Sequence, residues 1–141
     1  MSLSRGFVIP LAAALALQGG AAVSQQSAPP AAPSSLVLYF ELGSAEVRPP
    51  DVAQLDQASR LYRDGKPIVM VITGSTDAVG TAEGNLQLSQ RRAEAVLHGL
   101  VARGIPPERF QIVSKGVTEP AVPTTPGSAE PGNRRAVITW R

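Results

Sequence analysis

Residues 68–77 read Ile68-Val69-Met70-Val71-Ile72-Thr73-Gly74-Ser75-Thr76-Asp77, and they indicate how the rest of the chain is organised. Five consecutive apolar residues, four of them β-branched, predict a central strand that is covered on both faces or nearly so. The strand is expected to end at Thr73, where a glycine-bearing loop begins. That loop leads into an apolar pattern with helical spacing, so the stretch predicts a strand–loop–helix unit.

The helix after this loop is predicted over residues 83–103, with Gly104 closing it. Its apolar positions recur at three- and four-residue spacing and share one face, namely Leu86, Ala93, Val96, Leu97 and Leu100. Asn85 and Arg92 are seven residues apart, so they fall within about 20° of each other on the flank of that face. Their polar ends are therefore expected at the edge of the core.

The sequence before this unit predicts one more strand and one more helix. Residues 36–40 are apolar and aromatic, as in a first strand. Pro49 and Pro50 precede Asp51, and apolar residues then recur with helical spacing until Gly65, at Val52, Leu55, Ala58 and Leu61 or Tyr62. Proline in the first turn and an early acidic residue are typical of a helix start, so an amphipathic helix is expected here.

Two further strands are predicted after the second helix, at residues 110–114 and 136–140, joined by a connection rich in proline and glycine. The element order is therefore β-α-β-α-β-β. Two β-α-β units require at least part of the sheet to be parallel. We expect an α/β fold (an α+β sandwich), in which two helices pack on a mixed four-stranded sheet. Residues 36–141 suffice for one such domain.

The N-terminal residues have a different composition. Arg5 is the only charge before Glu41, an apolar run over residues 7–17 follows it, and small residues come next. This pattern predicts a secretory signal peptide over residues 1–24, cleaved after Ala22 or Ser24. The alternative is a retained membrane anchor, although the run is shorter than the roughly 20 residues that span a bilayer. Residues 25–35 predict a Pro/Ala/Ser linker.

The composition excludes several classes of function. The chain has 13 Lys+Arg against 11 Asp+Glu, a net charge of +2, and no basic run, so nucleic acid is not an expected partner. The absence of cysteine excludes disulfides, thiolate metal sites, thiol nucleophiles and lipidation at a cysteine of this chain. No metal or other cofactor is expected, because the carboxylates are scattered and His98 is the only histidine.

Asp77 and Arg92 are the candidates for ligand binding. Ligands of parallel α/β sheets collect beyond the carboxyl ends of strands, where Asp77 lies. A carboxylate and a guanidinium that converge there can hold a zwitterion, the first binding its ammonium and the second its carboxylate. The structural alternative is that Asp77 caps the helix or the loop, while Arg92 is a surface charge or pairs with Asp77.

Four separated motifs, in this order, carry a resemblance to a known family. They are Thr76-Asp77-x-x-Gly80, Asn85-x-x-Leu88-Ser89-x-Arg91-Arg92-Ala93, Gly104-Ile105-Pro106 and Asn133-Arg134-Arg135-Ala136-Val137. With them, and with Phe40-Glu41-x-x-Ser44-Ala45, residues 36–141 closely resemble the OmpA-like C-terminal domain. The resemblance implies an OmpA-like fold, a place in the periplasm or at the outer membrane, and a role in binding without catalysis.

The resemblance also implies a ligand and the residues that bind it. Members of the family bind peptidoglycan non-covalently through the diaminopimelate of the stem peptide. Their loop aspartate and second motif arginine clasp the free zwitterionic end of that amino acid, and here these positions are Asp77 and Arg92. The other matching positions are Asn85, which corresponds to an assisting asparagine, the motif residues Thr76 and Leu88, and the pair Arg134 and Arg135, of which either could face the ligand.

The chain departs from the family pattern at three positions around this site. Ser75 stands where the family usually has His or Tyr, Gly84 where it has Tyr, and Gly43 where an Asn or Asp lines the pocket. Each change removes a possible ligand contact, so a lower affinity is expected. None of them replaces the aspartate or the arginine.

Two other classes of function compete with wall binding. A wall-modifying enzyme would need a nucleophile with a base, a metal, or two closely placed carboxylates, and the sequence offers none of these sets. An adaptor would instead hold an envelope protein, or a second copy in a homodimer, through the same domain.

Trp140 is expected to face inward from the last strand, with stacking on a sugar as the alternative.

Overall fold

The computed structural model describes Gly20, residues 33–67 and residues 69–141. Apart from Gly20, the predicted signal peptide lies outside the described residues, and so do residues 25–32 of the predicted linker and Ile68. Export and cleavage therefore stay predictions. In the described part of the chain, no helix is both long and apolar enough to cross a membrane.

The described elements follow the predicted order. They are β1 (Ser35–Tyr39), α1 (Val52–Gly65), β2 (Met70–Ser75), α2 (Ala82–Val101), β3 (Phe110–Ser114) and β4 (Arg135–Trp140), with short 3-10 turns at Pro49–Asp51, Pro107–Arg109 and Pro131–Asn133. The strands form one sheet in the order β1-β4-β2-β3. β2 and β3 are parallel, while β4 runs antiparallel to both β1 and β2. The expected mixed four-stranded sheet with two helices is confirmed.

Strand β2 is central, but the structure corrects two expectations about it. Its residues alternate between buried and half-exposed, with Met70 and Ile72 buried and Val71 and Thr73 half-exposed, so the helices cover only one face of the sheet. The β-branched residues on the open face favour the extended chain without being buried. The strand also continues past Thr73 to Ser75, because its pairing with β4 extends to Arg135.

The core lies between the sheet and the two helices. It is built from buried apolar residues of β1, β2 and β4, both helices and the connections after β1 and α2: Leu36, Leu38, Phe40, Leu55, Ala58, Met70, Ile72, Ala93, Val96, Leu100, Ile105, Ala136 and Ile138. Phe110 and Ile112 of β3 are partly buried and pack against it. Trp140 packs against this cluster, as predicted. Val52 and Leu86, both predicted to face the core, are 37% and 49% exposed. Leu86 is displaced because polar residues occupy the buried side of α2 near its start.

A glycine brings α2 unusually close to β2. A Cβ atom at Gly74 would lie 1.9 Å from the backbone oxygen of Ser89, so only glycine fits there. Ser89 is itself fully buried, and its hydroxyl accepts a hydrogen bond from the backbone N–H of Gly116 at 3.0 Å. This close packing fixes the first half of α2 against the carboxyl end of β2, where the candidate site lies.

Candidate functional site

The residues predicted to bind a ligand lie around the carboxyl end of β2. Asp77 is in the loop after β2, Asn85 and Arg92 are on α2, and Arg134 directly precedes β4. Each of these elements is held by the sheet or by the contact between Gly74 and Ser89. The fold thus brings residues from separate parts of the sequence into one region.

Asp77 is only 3% exposed, and its described partners bind a single carboxylate oxygen. Oδ2 accepts hydrogen bonds from Nη1 of Arg134 at 3.2 Å and from the backbone N–H of Glu130 at 3.3 Å. No donor among the described residues reaches Oδ1. The helix cap is Thr81, whose side chain accepts from the N–H of Gly84, so the alternative that Asp77 caps α2 is wrong.

Arg92 is fully buried, with an exposed fraction of 0%. Its guanidinium donates to three backbone carbonyls: Nε to Ser44 at 2.8 Å, Nη1 to Ser75 at 3.0 Å and Nη2 to Glu41 at 3.1 Å. Its Cζ lies 5.3 Å from the centre of the Phe40 ring, within the range of a cation–π contact. The alternative that Arg92 is a surface charge is wrong.

The charge of Arg92 has no bonded carboxylate among the described residues. Burial of the guanidinium lowers the pKa of Arg92 to about 10, and the negative charge of Asp77 offsets part of that shift. The side chain is therefore still cationic at neutral pH. Buried charges are normally paired, because carbonyl dipoles replace only part of the lost hydration. An anionic group of a ligand would supply the negative charge that the described residues around Arg92 do not provide.

Arg134 is the member of the arginine pair that contacts Asp77. In addition to its bond to Asp77, its Nε donates to the carbonyl of Phe40 at 3.1 Å, and its side chain is 13% exposed. Arg135 is in β4, where it pairs with Tyr39 and Ser75 in the sheet. Because Ala136 faces the helices, Arg135 lies on the open face of the sheet, and its Nε is buried without a partner among the described residues.

The remaining predicted site residues are buried beside this cluster. Asn85 is 6% exposed and borders a cavity of about 310 Å³, which also contacts the loop after β2 and the connection between β3 and β4. Thr76 is 2% exposed, and its hydroxyl has no hydrogen-bond partner in the described part of the chain. Leu88 is 9% exposed and faces the core side of α2. Unpaired polar atoms at this end of the sheet could serve a ligand.

Several residues that position the site were not identified from the sequence. The carbonyls of Glu41 and Ser44 hold Arg92, but backbone acceptors leave no signal in the side-chain sequence. Asn133 is 1% exposed and exchanges two hydrogen bonds of 2.8 Å with the backbone of Val122, which anchors the β3–β4 connection next to Arg134. Asn133 opens the motif Asn133-Arg134-Arg135-Ala136-Val137, but the sequence alone did not predict that it anchors this connection.

These features define a small two-layer α/β domain with a buried, charged site at the end of its central strand. The model of the OmpA family matches residues 39–134, which is more than half of the chain. The chain therefore belongs to the OmpA family, and the resemblance found in the sequence is confirmed. Membership places it among non-catalytic envelope proteins, so the competing interpretation as an enzyme is set aside.

Similar proteins include curated relatives and solved structures. The peptidoglycan-associated lipoprotein of Pasteurella multocida (strain Pm70) is 35% identical over 103 residues, which are 73% of this chain and 69% of that protein. The outer membrane protein A of Bordetella avium is 31% identical over 100 residues, 71% of this chain and 52% of that protein. The chain thus matches between about half and two thirds of these relatives.

Two solved structures with comparable identity have the same fold. The peptidoglycan-associated lipoprotein from Burkholderia pseudomallei superposes with a TM-score of 0.69 at 31% identity, covering 74% of this chain and 89% of that one. The cell wall anchor of the T6SS from Pseudomonas aeruginosa gives a TM-score of 0.61 at 30% identity, covering 75% and 79%. Both support the described arrangement of helices and sheet.

Proposed function

We propose that this domain binds peptidoglycan non-covalently in the periplasm, through the diaminopimelate of the stem peptide. The observation that carries the proposal is Arg92, a fully buried cation whose described acceptors are all neutral carbonyls. A guanidinium has five N–H groups, and three of those of Arg92 are used within the described chain. Two are left for the carboxylate of a ligand.

The same geometry provides for the ammonium of a zwitterion. Both described hydrogen bonds to Asp77 end on Oδ2, which leaves Oδ1 to accept from a ligand. Diaminopimelate carries an ammonium and a carboxylate on the carbon at the free end of its side chain. Asp77 would bind the first and Arg92 the second, so that each charge of the ligand meets its opposite.

Binding at this site requires a local opening, because Asp77 and Arg92 are 3% and 0% exposed. The carbonyls of Glu41 and Ser44, in the loop after β1, cover the guanidinium. A small displacement of this loop would uncover the two N–H groups of Arg92 that have no acceptor in the described chain. A ligand carboxylate would bind them through charge-assisted hydrogen bonds, which are about twice as strong as neutral ones.

The names of the relatives support the same function. Two of the similar proteins are called peptidoglycan-associated lipoproteins, and the solved structure from Pseudomonas aeruginosa is described as a cell wall anchor. The departures at Ser75, Gly84 and Gly43 leave Asp77 and Arg92 in place, so they would lower the affinity without changing the type of ligand. Because these relatives are associated with the cell wall, we also propose that the domain acts in the periplasm, which it would reach through the signal peptide predicted at residues 1–24.

A sedimentation assay with purified sacculi tests the proposal. The full chain should sediment with diaminopimelate-type sacculi, and free diaminopimelate should release it. Asp77→Asn keeps the shape and the oxygen that accepts from Arg134 but removes the charge, so binding should fall by about 30-fold or more, equivalent to roughly 2–5 kcal/mol. Arg91→Gln removes one charge from the exposed side of α2 and should bind like the wild type. Full binding by Asp77→Asn would refute the assigned site.

A further inference from the structure

A second group of charged residues lies on the outer surface of the two helices. Asp56, Ser59, Arg60 and Arg63 are spaced so that they share one face of α1, and Arg103 follows the end of α2. These five residues line a cavity of about 230 Å³. We call them the arginine cleft. Neither the family resemblance nor the proposed wall site involves any of them.

Two of the three arginines are fixed by hydrogen bonds. Nη1 of Arg63 donates to the hydroxyl of Ser59 at 2.8 Å, and Ser59 is only 3% exposed. Nε of Arg103 donates to Oδ1 of Asp56 at 2.7 Å, and its Nη1 donates to the carbonyl of Gly99 at 2.8 Å. Their guanidinium groups are held in place, so less conformational entropy is lost when they bind an anion.

Arg60 has acidic residues one turn away on both sides, Asp56 and Asp64, yet it forms an ion pair with neither. Arg63 is also bound to a hydroxyl and not to a carboxylate in the described chain. The cleft therefore contains three guanidinium groups and one carboxylate, a local charge of about +2. Two of these positive charges, those of Arg60 and Arg63, have no carboxylate partner in the described chain, so an anion in the cleft would offset them.

We propose that the arginine cleft binds a phosphate monoester group. Guanidinium groups match the oxygens of phosphate in bidentate geometry, and a dianion balances the local charge, which a single carboxylate would not do. The cavity, of about 230 Å³ and open to solvent, is large enough for a phosphate group. Such a group could belong to a soluble molecule or to the head group of a membrane lipid.

The cleft is separate from the proposed wall site. From Arg92, the wall-site residue of α2 that is nearest the end of the helix, to Val101 the helix rises by about 14 Å, at ~1.5 Å per residue, and Arg103 lies beyond that end. A ligand in the cleft would thus leave Asp77 and Arg92 free. The domain could hold the wall at one end and a phosphate group at the other, and the two activities can be tested separately.

The test is titration of the full chain with inorganic phosphate, followed by NMR of the arginine Nε–H groups. Resonances of Arg60, Arg63 and Arg103 should shift together, and phosphate should raise the Tm. The double variant Arg60→Gln/Arg63→Gln should weaken binding by at least about tenfold, because two charge-assisted contacts are lost. Arg91→Gln removes a charge elsewhere on the surface and serves as the control, and sacculus binding should be unchanged in the double variant.

Vesicles distinguish the source of the phosphate. Binding to vesicles that contain phosphatidic acid, but not to phosphatidylcholine alone, would support a lipid head group if it is lost in Arg60→Gln/Arg63→Gln. Binding of inorganic phosphate without any binding to vesicles would support a soluble ligand. The proposal is overturned if phosphate shifts none of the three arginine resonances. It is overturned as well if Arg91→Gln weakens binding as much as the double variant does, since the effect would then be one of net charge.

Discussion

Arg134 and Asp77 are 57 residues apart in the sequence, yet Nη1 of Arg134 lies 3.2 Å from Oδ2 of Asp77. In the described part of the chain, the carboxylate of Asp77 is therefore paired with Arg134 and not with Arg92. The site then contains two guanidinium groups and one carboxylate. A ligand carboxylate would give the second guanidinium, that of Arg92, an anionic partner, and the ligand's ammonium could share Asp77 with Arg134.

The pair predicts different roles for the two neighbouring arginines. Arg134→Gln should weaken sacculus binding by about tenfold, because Asp77 loses the partner that orients its carboxylate. Arg135→Gln, on the open face of the sheet, should bind within about twofold of the wild type. The measurement is a sedimentation titration with sacculi, with circular dichroism to check the fold. A stronger effect of Arg135→Gln would assign the ligand to the other member of the pair.

Arg92 should also be important for stability. Arg92→Ala leaves the carbonyls of Glu41, Ser44 and Ser75 without their donor and opens a cavity, so the free energy of unfolding should fall by about 3–5 kcal/mol. Arg92→Lys keeps the charge and can satisfy part of this set, so it should lose less stability while still losing the bidentate contact to a ligand. Urea unfolding measures both changes.

Arg91→Ala is the matched control, because Arg91 is exposed on the same helix. It should change the free energy of unfolding by less than about 0.5 kcal/mol. An Arg92→Ala variant as stable as Arg91→Ala would contradict the burial of Arg92. If Arg92→Ala is unfolded, Arg92→Lys is the variant whose sacculus binding reports on the site.

Gly74 should be among the least replaceable glycines in the described chain. Gly74→Ala places a methyl group 1.9 Å from the backbone oxygen of Ser89, which only a shift of α2 can relieve. We expect a loss of about 3 kcal/mol or more, and weaker sacculus binding because Asn85 and Arg92 move with the helix. A Cβ atom at Gly65 would have no other atom within 4 Å, so Gly65→Ala should be neutral or slightly stabilising. Thermal unfolding of both variants measures the difference. Equal Tm values for the two variants would contradict the close packing.

The sequence predicted the elements well because their patterns are local. The apolar run ahead of Thr73, the prolines before α1 and Gly104 after α2 each carry their own signal, and the boundaries moved by at most three residues. The buried face of each helix was harder to predict. Hydrophobicity predicted that Leu86 lies on the buried face of α2, but Asn85, Ser89 and Arg92 occupy that face beside the candidate site.

The site was predicted in its residues but not in its contacts. Asp77, Asn85 and Arg92 follow from motifs within one strand–loop–helix unit. The pairing of Asp77 with Arg134 depends on how a long connection returns to β4, and nothing local specifies that. The three carbonyls around Arg92 are backbone groups, whose positions only the folded chain defines.

The last prediction concerns the choice of stem peptide. Diaminopimelate and lysine differ by one carboxylate at the end of the side chain, beside the ammonium that both possess. With a lysine-type peptide the ammonium could still reach Oδ1 of Asp77, but the two remaining N–H groups of Arg92 would be covered by the ligand without an acceptor. A buried donor left without a partner costs about 1–3 kcal/mol, and more when it is charged.

We therefore expect the full chain to bind diaminopimelate-type muropeptides at least about tenfold more tightly than matched lysine-type muropeptides in calorimetric titrations. Sites built around a polar group reject ligands that lack it more strongly than apolar sites reject a missing methylene, because their own charge stays unsatisfied. Arg92→Lys should reduce the preference, since a single ammonium cannot reproduce the bidentate contact. Arg91→Gln should keep it. Equal affinity of the wild type for both peptides would mean that Arg92 does not contact that carboxylate, even if the domain still binds sacculi.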